Sequence, residues 1–145
     1  MTDNLNLSKI TGRRASRALA LQALYQWHVT KSNVITIIEQ FYAHNDFSLV
    51  DRVYFAKLVT GVVEQYQSLD DMFTAELDRD FNQLTPIECT ILRIATWEFI
   101  NCMEIPFKVI INEAIELAKM FGAADGHKYV NGILNKLKNR LRPHG

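Results

Sequence analysis

Phe107 to Leu141, FKVIINEAIELAKMFGAADGHKYVNGILNKLKNRL, decides the fold of this 145-residue chain. It reads as two helices joined by a short turn. In the first, Ile110, Ala114, Leu117, Ala118 and Phe121 recur at the spacing of one helix face. Gly122 follows as the expected left-handed residue past a helix end, and Asp125 is placed to cap the next helix. There Val130, Ile133, Leu134, Leu137 and Leu141 again form a single stripe. Two such stripes must be buried against each other or a shared core. Two residues sit awkwardly in this packing unit. Gly132, mid-helix, costs about 1 kcal/mol against Ala and suggests close backbone packing. Tyr129 lies on the flank of the stripe, where an aromatic is half exposed.

Working outward, the length suits one compact domain with two sub-bundles, over about 11–67 and about 68–142. With 48% hydrophobic and 22% charged residues, a core can form without disulfides or metal. Cys89 and Cys102 lie in apolar-periodic segments and read as core thiols in a reducing compartment. No uncharged apolar run approaches the ~20 residues of a membrane span. The opening MTDNLNLSKITGRR lacks the apolar segment of a secretory signal. A cytoplasmic protein is expected.

Net charge is zero, but it is unevenly spread. The segment from Asn4 to Ile38 has no acid and carries Lys9, Arg13, Arg14, Arg17 and Lys31. From Gly126 onward there is again no acid, with Lys128, Lys136, Lys138, Arg140 and Arg142. The middle holds fifteen of the sixteen acids. If folding gathers the two ends, one basic face suits a polyanion and one acidic face suits a basic partner. Merely solvated ends are the plainer alternative.

The first helix is expected from about Gly12 to His28, built from strong helix formers. Its arginines crowd the opening turns, where the positive end of the helix dipole disfavours cations. A local rule broken without visible compensation hints at function: helix end and guanidinium groups would act together on a phosphate. Otherwise they are exposed arginines without a role. Tyr25 shares a face with Arg14; it is either a core aromatic like Trp27 or a stacking platform, and the residues alone favour the core. Further helices are expected over about Val34–Ala43, Leu49–Tyr66 (with Ser48 and Asp51 at cap spacing) and from Ser68 to Leu77. Asp78–Gln83 is the longest break. Thr85-Pro86-Ile87-Glu88 then opens a helix with a complete capping box. No segment alternates long enough for a strand. The fold class is all-α, about seven helices with short links.

Enzyme signatures are missing. There is no phosphate loop, no G-x-G-x-x-G, no H-E-x-x-H and no G-x-S-x-G. The four histidines have no metal-ligand spacing with the two cysteines. Asp70 and Asp71 diverge by about 100° on a helix. Glu113 and Glu116, with Lys119 nearby, read as a solvated surface. No catalysis, cofactor or metal is expected.

RRASRALALQALYQW, ECTILRIATWE, PFKVIINEAIELAKMFG and GHKYVNGILNK, in this order and spacing, resemble the NusB family of bacterial transcription antitermination factors, from about Arg13 to Arg142. The resemblance implies two three-helix bundles packed with a seventh helix. It also implies a partner, the ribosomal protein NusE, and joint binding of single-stranded boxA RNA in nascent ribosomal-RNA leaders. The bound pair joins NusA and NusG on RNA polymerase, which then reads through terminators; no membrane is involved.

Residue by residue, the family's arginine-rich helix start falls on Arg13, Arg14 and Arg17, with Ala15 where some members carry another Arg. The RNA-side tyrosine falls on Tyr25, the turn aspartate on Asp125, and the RNA-side aromatic on Tyr129, beside Lys128. On this reading the turn Gly122–Lys128 faces the same side as the arginines. Glu88 matches the position implicated in the NusE contact. RNA would be held by arginines at phosphates and aromatics under unstacked bases, each stack worth roughly 1–3 kcal/mol. Two rivals stand beside it. One is a relative of the helical domain preceding an rRNA cytosine methyltransferase, for whose cofactor fold this chain has no room. The other is a helical protein-interaction module without RNA.

Overall fold

Six α-helices run through residues 10–122 and 126–144, the part of the chain described by the computed structural model. They are α1 (Gly12–Thr30), α2 (Val34–His44), α3 (Arg52–Thr74), α4 (Pro86–Asn101), α5 (Phe107–Phe121) and α6 (Gly126–Leu141), with a 3-10 turn at Phe81–Gln83. The all-α expectation holds: extended pairing among the described residues is limited to a bridge between Gly12 and Val50. The segments read as third and fourth helices are one continuous helix. Tyr66 to Leu69 contains no Gly or Pro, and the stripe Leu58, Val62, Leu69, Phe73 crosses it unbroken, each of the four fully buried. Apolar periodicity outweighs the cap-like spacing of Ser68 and Asp71. Likewise Asp51, not Ser48, starts α3, its Oδ1 accepting from the Tyr54 N–H at 3.0 Å.

Two further helix starts are capped by side chains. Asn33 caps α2 through Ile35 and Thr36 N–H groups. At α4, Thr85 Oγ1 accepts from Glu88 N–H at 3.1 Å and Glu88 Oε1 from Thr85 N–H at 3.0 Å. Such a box is worth about 1 kcal/mol.

The chain divides after Glu64 into two compact units. In the first, α1 is buried along most of its length, from Ala15 to Ala18 and again through Ala20, Leu21, Ala23 and Leu24. Small side chains let α2 approach it. Phe41, Tyr42, Phe47 and Phe55 form an aromatic cluster with ring centroids 5.0–6.0 Å apart. In the second unit α4, α5 and α6 pack pairwise. Ile110, Leu117, Val130, Ile133, Leu134 and Leu137 are buried as the two stripes require, each worth about 1.5–3 kcal/mol of apolar transfer. Both cysteines are buried.

Three expectations in the deciding stretch need correction. Gly122 is extended, φ −97° and ψ −175°, not left-handed. Glycine is needed there because a Cβ would stand 2.7 Å from the Ala118 carbonyl oxygen. Gly132 is exposed, and a Cβ on it would meet nothing within 4 Å, so close packing does not explain it. Glu113 turns inward and is buried, because its Cβ falls beside the apolar stripe; Glu116 and Lys119 stay at the surface, 3.8 Å apart.

Candidate nucleic-acid interface

Two patches hold the residues singled out above, one in each unit. In the first unit, two helix starts meet: the Gly12 N–H donates to the Leu49 carbonyl at 2.8 Å, and Ser16 Oγ donates to the Asp51 carbonyl at 2.6 Å. Neither α1 nor α3 has an acid in its first turn, so the positive ends of two dipoles adjoin there, with the Asp51 carboxylate at the cap of α3 between them. Arg13 lies over the Tyr54 ring, 4.1 Å from its centroid, and its Nε stands 3.8 Å from Asp51 Oδ2. Its side chain is 45% exposed, so this pair is worth little and leaves the guanidinium within reach of a ligand. Arg14 is exposed. Arg17 differs: it is buried, 5.6 Å from the same Tyr54 ring. The three arginines expected as one cluster are therefore two outward groups and one inward group beneath them. Tyr25 is 40% exposed, not core; the neighbouring Trp27 takes the buried position.

A cleft of about 280 Å³ beside α1 is lined by Ala15, Ala18, Leu19, Leu49 and Val50 among others. Among the described residues no cation lines it, and Asp46 does, so this lining does not suit a phosphate.

In the second unit the patch lies at the start of α6. Lys128 is exposed and Tyr129 half-buried. Arg79 lies over the Tyr129 ring, 3.8 Å from its centroid. The aromatic thus offers solvent a guanidinium-capped surface, itself a stacking group for bases. Burial pushes the Tyr129 phenol above its usual pKa; Arg79 opposes this, and the Asp78 and Glu88 charges reinforce it. Among the described residues the buried hydroxyl meets no partner in good hydrogen-bond geometry. Arg79 was missed in the sequence because it sits in a loop between two aspartates, and no helical spacing ties it to a residue fifty positions on. Glu88 belongs to the same corner: its second oxygen, Oε2, lies 3.7 Å from where a Gly126 Cβ would be. Asp125 falls outside the described residues.

Part of the C-terminal positive charge is turned inward. Arg140 pairs with Glu76 at 2.9 Å and donates to the Met72 carbonyl. Arg142 is buried and donates to four backbone carbonyls. Lys128 and Lys136 remain outward, while Lys138 lies over Phe107. Among the described residues no three His, Cys, Asp or Glu side chains could hold a metal ion. No described helix is long and apolar enough to cross a membrane.

Residues 14–139 match the model of the NusB family. The chain belongs to that family. A transcription antitermination protein NusB of Pseudomonas entomophila is 47% identical over 135 residues, 93% of this chain and 81% of that protein. The solved NusB of T. maritima superposes with a TM-score of 0.78 at 29% identity, covering 86% of this chain and 89% of that one. A structure of antitermination factors NusB and NusE in complex with dsRNA shares the fold, with a TM-score of 0.74 at 22% identity over 88% of this chain and 96% of that one. The NusB match spans both patches, from Arg14 at the start of α1 to Lys128 and Tyr129 in α6.

Proposed function

We propose that this NusB-family chain is a non-enzymatic adaptor of transcription elongation. With NusE it binds the single-stranded boxA element of nascent ribosomal-RNA transcripts. The assembly joins NusA and NusG on RNA polymerase in the cytoplasm and carries it past terminators. The observation that carries this reading is the start of α1: Arg13 and Arg14 point outward at a helix end with no acid in its first turn, against the local electrostatic preference. A phosphate would resolve that conflict. Tyr25 supplies an exposed ring on the same helix, and Lys128 with the Arg79-capped Tyr129 supplies a cation and a stacking surface in the other unit. Arg17 acts from below, sharing the Tyr54 ring with Arg13. Asp125 is retained from the family resemblance alone.

The test is RNA binding by fluorescence anisotropy, using boxA and a scrambled sequence, with and without NusE. Arg13→Ala combined with Arg14→Ala should weaken boxA binding at least tenfold. The slope of log K against log salt should flatten by about 1.4, two contacts at about 0.7 each on a single strand. Helix content should be unchanged, because both side chains are exposed; Arg17 is left intact because it is buried. Parental affinity and slope in the double variant would refute the assigned face.

For NusE, Glu88 is the proposed contact, suited to a basic partner. Glu88→Gln keeps an oxygen for the Thr85 N–H and removes the charge; Glu88→Lys removes both. Both should weaken NusE capture, and only the second should also lose about 1 kcal/mol of stability. If the Gln variant captures NusE as the parent does, Glu88 is a cap and no more.

A further inference from the structure

Gly132 is the one residue of α6 that neither packing nor backbone geometry accounts for. It lies six residues into the helix, is exposed, and has open space where a Cβ would stand. A glycine in that position weakens the helix relative to alanine, and nothing among the described residues needs the room. Its surroundings say what does. Tyr129, Gly132 and Lys136 follow at i, i+3 and i+7, along one line of the helix surface about 10 Å long. Lys128, Asn131 and Asn135 flank that line and are exposed. The described residues from Gly126 to His144 include no acid. The line begins at the Arg79-capped ring of Tyr129 and ends at a lysine, with a bare stretch of backbone between.

We propose that this face of α6 is a track for single-stranded RNA, in which the missing side chain at Gly132 lets the sugar–phosphate chain lie against the helix backbone. Lys128 and Lys136 meet phosphates on either side of it, and Arg79 on Tyr129 stacks a base at its start. Charge complementarity selects the occupant: beyond the corner where Asp78 and Glu88 lie near Tyr129, a helix of lysines and asparagines with no carboxylate of its own suits a polyanion. Asn135 Nδ2 donates to the Asn131 carbonyl at 2.9 Å and to its side-chain Oδ1 at 2.8 Å, which holds the pair in place and leaves the Asn131 amide as the donor for RNA. The inference rests on the RNA-binding function proposed above and extends it from the start of α6 to two turns along the helix.

Gly132→Ala, Gly132→Gln and Lys136→Ala test it, with Lys119→Ala as a surface-charge control on α5. The full chain is titrated against boxA RNA at several salt concentrations, and NusE capture and thermal unfolding are measured in parallel. Gly132→Ala should raise the melting temperature by a few degrees yet weaken RNA binding three- to tenfold, and Gly132→Gln should weaken it further. An added methyl that stabilises the fold and harms binding is not explained by damage to the protein. Lys136→Ala should flatten the salt slope by about 0.7, and Lys119→Ala should leave it unchanged. If the parent binds RNA and the Gly132 and Lys136 variants match its affinity and slope, the track is overturned while the proposed function stands. If those variants keep RNA and lose NusE, the face belongs to the protein partner and the track is likewise overturned. If the parent itself does not bind boxA with or without NusE, both readings fall.

Discussion

Arg142→Ala should destabilise the chain by about 3–5 kcal/mol, one of the two largest effects of any single substitution considered for this protein. The Arg142 guanidinium is buried. It donates from Nε to the Phe99 carbonyl at 3.0 Å, from Nη1 to Ile105 at 2.6 Å, and from Nη2 to Cys102 at 3.0 Å and Glu98 at 3.3 Å. These carbonyls belong to the last turn of α4 and the loop after it, where the helix has no basic residue of its own. The arginine supplies both the missing donors and the positive charge that the negative helix end favours. Alanine removes the fork: the Glu98 and Cys102 carbonyls keep the Cys102 and Ile105 N–H groups, while those of Phe99 and Ile105 lose this donor, each costing about 1–3 kcal/mol if it stays dry. For a chain of this size the melting temperature should fall by roughly 10 °C. Urea unfolding followed by circular dichroism measures it. Arg142→Lys should recover only part of the loss, since an ammonium cannot span the four acceptors. A loss below about 1 kcal/mol would show that water replaces the fork.

Asp70→Ala should cost a similar amount, for a different reason. Arg93 donates from Nε to Asp70 Oδ1 at 2.8 Å and from Nη2 to Oδ2 at 2.7 Å, with the arginine side chain 5% exposed and the aspartate 17%. Burial by itself would lower the Arg93 pKa. The hydrogen bonds to Asp70, Cys89, the Asp70 charge and Tyr66 together outweigh it, and the net shift is upward. An arginine keeps its proton inside a protein, so removing Asp70 takes the carboxylate from a buried charge, at about 3–5 kcal/mol. Replacing both partners, as Asp70→Leu with Arg93→Met, should restore most of the stability, because a packed apolar pair avoids desolvating either ion. Chemical denaturation of the two single variants and the double variant separates these outcomes. A double variant as weak as Asp70→Ala would show that the pair contributes more than the cost of breaking it.

The stripes of α5 and α6, and the Thr85–Glu88 box, were legible because their determinants lie within one or two helical turns. The join of two expected helices into α3 was legible in principle, since the stripe from Leu58 to Phe73 never breaks. There the cap pattern at Ser68 competed with periodicity, and burial decided. The buried arginines were not legible. Arg17, Arg93 and Arg142 look in sequence like any other surface cation, and only tertiary partners show which way each faces. Arg79 over Tyr129 was hidden for the same reason, as a contact between a loop and a helix. Tyr25 and Trp27 show the limit within a single helix: both are aromatic, two positions apart, and only packing against the neighbouring elements exposes one and buries the other.

Arg142 also has a temporal consequence. Its four acceptors lie 37 to 44 residues earlier in the chain. During synthesis α4 is complete, and its terminal carbonyls are waiting, well before the arginine that closes them has been added. At about 5–20 residues per second, that interval is seconds long. A nascent chain carrying α4 and α5 without Arg142 should therefore hold its last turn of α4 open, and the second unit should lock only when the final helix and the arginine beyond it are both in place.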